Sequence, residues 1–549
     1  MLFDIVLAAS LSHTNTIVME MLTALLPALI STLVVVVALL LFIRAAAAAA
    51  AVFMIKNNAG AGSSTPSLPP GPSKLPLIGS IHHLMATGGE LPHHTLTRLA
   101  REHGPVMHLQ TGQVGLVVVS SREAAREVMK VQDANFAHRP ELTGPKALLY
   151  GCADVAFASG GPHWRRLRKM CVVDLLSSSR VRSFEPVRRE ETRALVGRIA
   201  GQPPGTAIYL RPMLEALSSA VVSRTVLGET VEHRGAILKE GLKLTSAFSL
   251  SDHFPSLSFL DVPMRLRLRR VHRQVDELFE DIIGERKKKL RQEKLKRQEK
   301  SKDTAENMLD VLLNAMEQPD MEVPITQDNI KAVIMDMFVG GTETSLTTIE
   351  WAMAELIKNP KEMAKVQEEV RTKTKVGETR THLGDNDVGQ LRYLKLVVKE
   401  TLRLHMPAPL LVPRVCKEQC RLGGYTIPAG SRVVINAWAM GRDPSYWEDA
   451  EAFRPGRFLD RDVDYKGTSS FEFLPFGAGR RICPGIEFGL AGIEFCLAQL
   501  LYHFDWKLPD AMASEDLDMT ETSVGVSVVR KEPLRLIPVI HAPLDELKC

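Results

Sequence analysis

The run Phe473-Leu474-Pro475-Phe476-Gly477-Ala478-Gly479-Arg480-Arg481-Ile482-Cys483-Pro484-Gly485 constrains this chain more than any other feature. It is a glycine-broken loop that ends on a cysteine, and a run of helical character over 486–501 follows it. Glycines let backbone pass close to a flat partner, and the loop's N–H groups can donate to a thiolate sulfur. The N-terminus of the following helix and Arg481 both favour negative charge, so Cys483 is expected to ionise. The chain has seven cysteines and no C-x-x-C pair. That odd, sparse set excludes a disulfide-framed secreted domain and argues against a tetrahedral zinc centre at Cys483. Cys152, Cys171, Cys416, Cys420 and Cys496 read as small hydrophobes, Cys416-x-x-x-Cys420 having no partner ligands nearby in sequence.

Axial ligation of a haem iron suits such a thiolate, which pushes electron density onto the metal and favours O–O cleavage. The spacing Phe476-x-x-Gly479-x-Arg481-x-Cys483-x-Gly485 resembles the haem-binding signature of the cytochrome P450 superfamily. Three further motifs occur in that family's order, so the resemblance runs from Leu68 to the C-terminus. It implies a mainly α fold with small β-sheets, built as one large haem-containing domain. It also implies haem b with Cys483 as the iron ligand, and Phe476 and Gly477 in the loop against the cofactor.

Trp164-Arg165-Arg166-Leu167-Arg168 resembles the family's W-x-x-x-R. The resemblance implies that Trp164 and Arg168 meet a haem propionate, with Arg481 and Arg414 as candidates for the remaining contacts; Arg–carboxylate bonding is charge-assisted and often bidentate. Arg165, Arg166 and Lys169 read as a solvated basic face, one that could attract an acidic reductase. Gly340-Gly341-Thr342-Glu343-Thr344-Ser345 lies inside a long helical pattern, where each glycine costs ~1 kcal/mol against alanine. A threonine in a helix usually bonds back to a carbonyl one turn earlier. The resemblance instead implies an oxygen-activating groove, with Thr344 steadying dioxygen and Glu343 feeding protons as general acid. Glu400-Thr401-Leu402-Arg403 puts Glu400 and Arg403 on one helix face. Alone it reads as a surface pair worth under ~1 kcal/mol. As the family's E-x-x-R it implies a buried, structural pair completed by Arg457 of Phe453-Arg454-Pro455-Gly456-Arg457-Phe458.

Residues 21–43 carry no charge and span roughly 34 Å as a helix, enough to cross a bilayer. They are expected to be a single membrane anchor, behind an N-terminal extension over 1–20. Arg44, Lys56 and Lys74 follow the span, so the body is expected on the cytosolic side, at the endoplasmic reticulum membrane. Residues 44–79 read as a linker, its end stiffened by Leu68-Pro69-Pro70-Gly71-Pro72, and 80–549 as the catalytic domain. The proline hinge, the anchor and the form of the Cys483 loop resemble the plant microsomal A-type enzymes of the seventy-one clan; the alanine-rich N-terminus suits a grass.

A mixed-charge segment over 285–303 reads as a solvated helix or loop. Strands are expected over 116–120 and 432–438, and helices over 328–358 (capped by Thr326, ended by Asn359-Pro360), 361–372 and 391–405. With 45% hydrophobic and 24% charged residues the chain is an ordinary globular protein, and a net charge of +4 is too weak to indicate a nucleic-acid partner. No G-x-G-x-x-G or P-loop is present, so electrons are expected from NADPH through a separate cytochrome P450 reductase.

By resemblance, substrate meets 148–157, 337–341, 407–412 and 524–528, all almost wholly apolar. Apolar pockets suit apolar ligands. The expectation is a monooxygenase acting with O2 on a hydrophobic small molecule, best a diterpenoid, with phenolic, indolic and oxime substrates as alternatives. A haem-thiolate isomerase or dehydratase, or a non-catalytic haem binder, would have no need of the Glu343–Thr344 pair.

Overall fold

The computed structural model describes residues 67–85, 89–230, 235–296, 306–317, 323–373, 384–461 and 463–541, together with Ser31, Thr32, Val35, Val37 and Arg44. The extension over 1–20 lies outside the described residues, as does nearly all of the expected anchor and of the linker up to residue 66. Among the described residues no helix is long and apolar enough to cross a membrane. By internal contacts, 67–74 and 78–549 form one unit and the preceding segment, with 75–77, another. The large unit carries every element of the site.

Six helices position the site: α1 (Pro162–Met170), α2 (Leu210–Leu227), α3 (Gln327–Gly341), α4 (Glu343–Lys358), α5 (Arg392–Leu404) and α6 (Ile486–His503). A capping box starts α3: Thr326 Oγ1 accepts from Asn329 N–H at 3.2 Å, and Asn329 Oδ1 accepts from Thr326 N–H at 2.9 Å. The expected single helix over 328–358 is in fact two, interrupted at Thr342 immediately after the glycine pair. From Leu346 to Ile357 every residue of α4 is buried. It is the central helix, packed between α2, α5 and α6, and its near-continuous burial explains its apolar character on all sides. Each fully buried Leu, Ile or Met contributes ~1.5–3 kcal/mol of transfer free energy. Asn359 closes α4, and Pro360 opens the next helix, Pro360–Lys373. The charged segment after 285 continues a solvated helix, Val262–Lys296.

The strands that matter are β1 (Val106–Thr111), β2 (Val114–Val119), β3 (Arg414–Val415), β4 (Arg432–Ile435), β5 (Glu521–Val524) and β6 (Ser527–Arg530). The first four form one sheet in the order β1-β2-β4-β3, with β2 parallel to β4 and the other pairs antiparallel. Gly112 turns the β1–β2 hairpin at φ 64°, and a Cβ there would sit 2.5 Å from the His253 carbonyl oxygen. β5 and β6 pair as a separate hairpin. The strand expected over 432–438 stops at Ile435. Asn436 then caps a short helix, Ala437–Gly441, its side chain accepting from Ala439 N–H at 3.2 Å, so Trp438 is helical.

Candidate functional site

The loop before α6 is built as a cysteine cradle. Gly477 and Gly479 both have positive φ (70° and 68°), and a Cβ on Gly479 would lie 1.8 Å from the Met129 carbonyl oxygen. Only glycine fits there. Cys483 N–H donates to Phe476 O at 2.9 Å, and Gly485 N–H points to Cys483 Sγ at 3.4 Å. Phe476 packs edge-on against Tyr465. The sequence-based electrostatics need one correction. Burial raises the Cys483 thiol pKa, and Gly485 N–H and Arg168 only partly oppose it. Arg481 does not help, because its guanidinium faces away, donating to the carbonyl oxygens of Ala137, Val155 and Ala158. A thiolate at this position therefore calls for a cation bound directly at sulfur, as iron would be.

Four arginines converge near this loop. Arg481 lies over the Trp164 ring at 4.1 Å. Arg414 donates to Ala478 O at 3.2 Å, and burial lowers its pKa to about 10. Arg139 donates to Ala156 O at 2.8 Å and to Val412 O and Pro413 O at 2.7 Å each. Burial, then the charges of Arg414 and Arg481, push its pKa well down. Arg481 falls to about 9 by burial and then by repulsion from Arg414, and burial lowers Arg168 as well. Among the described residues no carboxylate forms an ion pair with any of the four. Enclosed, mutually repelling guanidiniums with only carbonyl partners are matched by a bound dianion. Two propionates supply that charge, so the donor set fits haem. Arg139 was not found from the sequence; no spacing rule marks it. Trp164, expected to reach a propionate, instead donates its indole N–H to Val155 O at 3.2 Å.

Above the cradle, α3 ends and α4 begins at the glycine pair. Gly340 is exposed, and a Cβ there would meet nothing within 4 Å, whereas one on Gly341 would press on Val222 at 3.1 Å. The open side is thus Gly340's. Ser218 Oγ of α2 donates to Thr342 O at 2.9 Å, satisfying a carbonyl at the interruption. Thr344 Oγ1 donates to Gly340 O at 2.6 Å, the back-bond usual for a helical threonine. Glu343 is buried and ion-paired to Arg211 of α2, which also holds Glu350 at 2.8 Å. Burial opposes the Arg211 charge, but the two glutamates prevail and its pKa is raised.

The E-x-x-R pair is buried, both side chains being 0% exposed. Arg403 Nε donates to Glu400 Oε2 at 2.8 Å and Nη2 to Oε1 at 2.9 Å; Arg457 Nε adds a third bond to Oε1 at 2.9 Å. Arg403 also donates to Gly441 O and Ala450 O, each at 2.6 Å.

A thiol cradle, an arginine cluster with only carbonyl partners and an interrupted helix packed on α6 define a haem-thiolate protein. The cytochrome P450 family profile matches residues 69–538, and the chain belongs to that family. It is 47% identical over 483 residues to desmethyl-deoxy-podophyllotoxin synthase of Sinopodophyllum hexandrum (87% of this chain, 93% of the relative). It is 46% identical over 498 residues to premnaspirodiene oxygenase of Hyoscyamus muticus (90% and 97%). It is also 46% identical over 491 residues to cytochrome P450 71D7 of Solanum chacoense (88% and 95%), which places it in the plant A-type seventy-one clan. Among solved structures, a zebra fish cytochrome P450 with abiraterone superposes with a TM-score of 0.68 at 26% identity, covering 82% of this chain and 99% of that one. The protein is a P450 monooxygenase, and its fold implies a redox partner, O2 and a small-molecule substrate.

Proposed function

We propose that this chain inserts one oxygen atom of O2 into a plant terpenoid, best a diterpenoid, with electrons from NADPH through a separate reductase at the endoplasmic reticulum membrane. The observation that carries the substrate class is the apolar sequence of 148–157, 337–341, 407–412 and 524–528. Of the four apolar segments, two are bonded to each other, Val528 N–H donating to Pro407 O at 2.8 Å. A third, through Val155 N–H, reaches Asp336 of α3 at 2.7 Å, immediately before the fourth. An apolar lining recognises a hydrocarbon skeleton by shape, with few polar anchors. The relative named for premnaspirodiene supports a terpenoid. The podophyllotoxin in another relative's name makes an aromatic substrate the second reading.

Haem supplies dioxygen activation and oxygen transfer when bound. Around it the chain's own residues have separable roles. Cys483 offers the ligand sulfur, and Arg139, Arg168, Arg414 and Arg481 hold the carboxylates. Glu400, Arg403 and Arg457 keep the segment leading to the cysteine loop in place. Thr344 leaves Gly340 O to donate its hydroxyl proton on the open side, and Glu343 replenishes that proton once it is released from Arg211. On α1, exposed Arg165 and Lys169 present positive charge for an acidic reductase. The segment over 21–43 anchors the chain, with the body in the cytosol.

The test is co-expression with a plant reductase and a panel of labdane- and pimarane-type diterpenes, sesquiterpenes, indole and phenylpropanoids, read by mass spectrometry. NADPH-dependent oxygen addition to a diterpene is the expected outcome. Oxidation of aromatics alone overturns the terpenoid assignment. Substrate rearrangement without NADPH overturns the reductase-dependent reaction.

A further inference from the structure

Away from the haem region, three histidines and a glutamate converge from distant parts of the chain. His93 and His94 lie on the helix Pro92–His103, Glu521 begins β5, and His405 directly follows α5. We propose that His93, His94 and Glu521 hold a zinc(II) ion that fixes the β5–β6 hairpin to the body of the protein, with His405 backing the Glu521 carboxylate.

His93 Nε2 and His94 Nε2 each stand 3.1 Å from the same oxygen, Glu521 Oε2. The three ligand atoms lie within 4.8 Å of one another. Two ligands of a tetrahedral zinc, each at ~2.0–2.1 Å, stand ~3.3 Å apart, so both contacts already have the spacing the metal needs. Consecutive helical residues rarely aim at one point; here the two rings are nearly perpendicular, with centroids 4.2 Å apart.

His405 stands behind Glu521 and backs it from the other oxygen. His405 is 6% exposed, and its Nδ1 has no hydrogen-bond partner. That nitrogen faces Glu521 Oε1 at 3.7 Å, too far for a hydrogen bond. The other ring nitrogen, Nε2, lies 2.6 Å from Glu355 Oε1. Glu355 is fixed in turn by Asn359 Nδ2 at 3.1 Å. A carboxylate at Nε2 sets the tautomer with its proton there and leaves Nδ1 directed at Glu521. His405 cannot turn away, because its ring stacks on Trp351 at 3.9 Å and 7°. Two imidazoles and one carboxylate suit zinc, with solvent on the His94 side completing the tetrahedron. His94, one-third exposed, gives the ion a path from solvent.

The experiment uses full-length holoenzyme, expressed with zinc in the medium and dialysed against metal-depleted buffer. Metal analysis should give ~1 zinc per haem, and zinc K-edge absorption should show nitrogen and oxygen ligands at ~2.0–2.1 Å with no sulfur. Glu521→Gln should lose the zinc. Since Glu521 is buried, His94→Gln serves as the second variant; it should also lose the zinc while keeping the haem spectrum. Wild-type protein that holds no zinc and takes up none from added zinc sulfate overturns the proposal, the cluster then being a proton-bridged network. Zinc content unchanged in both ligand variants overturns it equally, because the metal would sit elsewhere.

Discussion

Replacing Glu400 with glutamine tests whether the E-x-x-R pair holds the cysteine loop's foundation. The Glu400 carboxylate accepts four N–H groups: two from Arg403, one from Arg457, and the Arg454 backbone N–H at 2.8 Å. Arg403 is fully enclosed, and its remaining bonds go to the carbonyls of Gly441, Ala450 and Ala452. Glutamine removes the compensating charge and turns an NH2 group toward donors, leaving a buried guanidinium unpaired. Breaking a buried pair in this way costs ~3–5 kcal/mol, a large part of a stability of roughly 5–15 kcal/mol. Tryptophan fluorescence during urea unfolding reports it locally, since the Arg403 guanidinium lies over the Trp447 ring at 5.3 Å. The midpoint should fall steeply, with loss of the thiolate-type carbon monoxide band. The control is Glu123→Gln, which breaks an exposed pair with Arg122 (2.8 Å) and should cost under ~1 kcal/mol. A Glu400→Gln midpoint as close to wild type as the control's would refute the argument.

Thr344→Ala should divert NADPH-derived electrons to peroxide while costing at most ~1 kcal/mol of stability, because only one back-bond is lost; peroxide and product assayed together decide it, and tight coupling would remove Thr344 from the relay. Arg139→Leu removes one charge-assisted contact to the cofactor, worth ~1.5–3 kcal/mol. Haem should then leave ~10–150 times faster in transfer to apomyoglobin, and an unchanged rate would take Arg139 out of the cradle. The buried pair Asp154–Asp336 gives a pH prediction. Burial raises both carboxyls above their ordinary value, and for Asp336 the Asp154 charge adds to the rise. Raised folded-state pKa values mean that the folded protein binds more protons than the unfolded chain, so the pair's contribution is full below the ordinary carboxyl range and is lost as pH rises through the raised values. Asp154→Asn should therefore gain in Tm relative to wild type as pH rises from about 4 toward neutrality, and a pH-independent difference would count against the shared proton.

The sequence already revealed the cysteine loop, the glycine pair within a helical pattern and the cap at Thr326, because each depends on residues close in the chain. Cys483 and Gly485 are two positions apart, and Glu400 and Arg403 one helical turn apart. What stayed hidden is what long-range packing decides. Arg481 was expected to face the cysteine, but the carbonyls of Ala137, Val155 and Ala158 draw it the other way. Arg139 gave no signal, since Arg414 and Arg481, whose charges act on it, are hundreds of positions away. Arg211, which occupies Glu343, lies 132 residues before it. Trp438 continued a plausible strand pattern, yet the local cap from Asn436 overrode β-propensity.

The segment between Asp154 and Ala158 ties these observations together. Its N–H groups at Val155 and Ala156 donate to Asp336 of α3, one helical turn before Gly340. Its carbonyls face the opposite way: Val155 O accepts from Trp164 and Arg481, Ala156 O from Arg139, and Ala158 O from Arg481. Asn329 near the start of α3 fixes the preceding turn through Ala153 O at 3.1 Å. One short backbone stretch thus links α3, which ends at the glycine pair, to two of the four clustered arginines, Arg139 and Arg481. It belongs to the apolar segment over 148–157 expected to meet substrate. The two buried carboxyls hold that stretch from both sides, Asp336 through Val155 N–H and Ala156 N–H and Asp154 through Phe157 N–H at 2.8 Å, and burial keeps both pKa values raised.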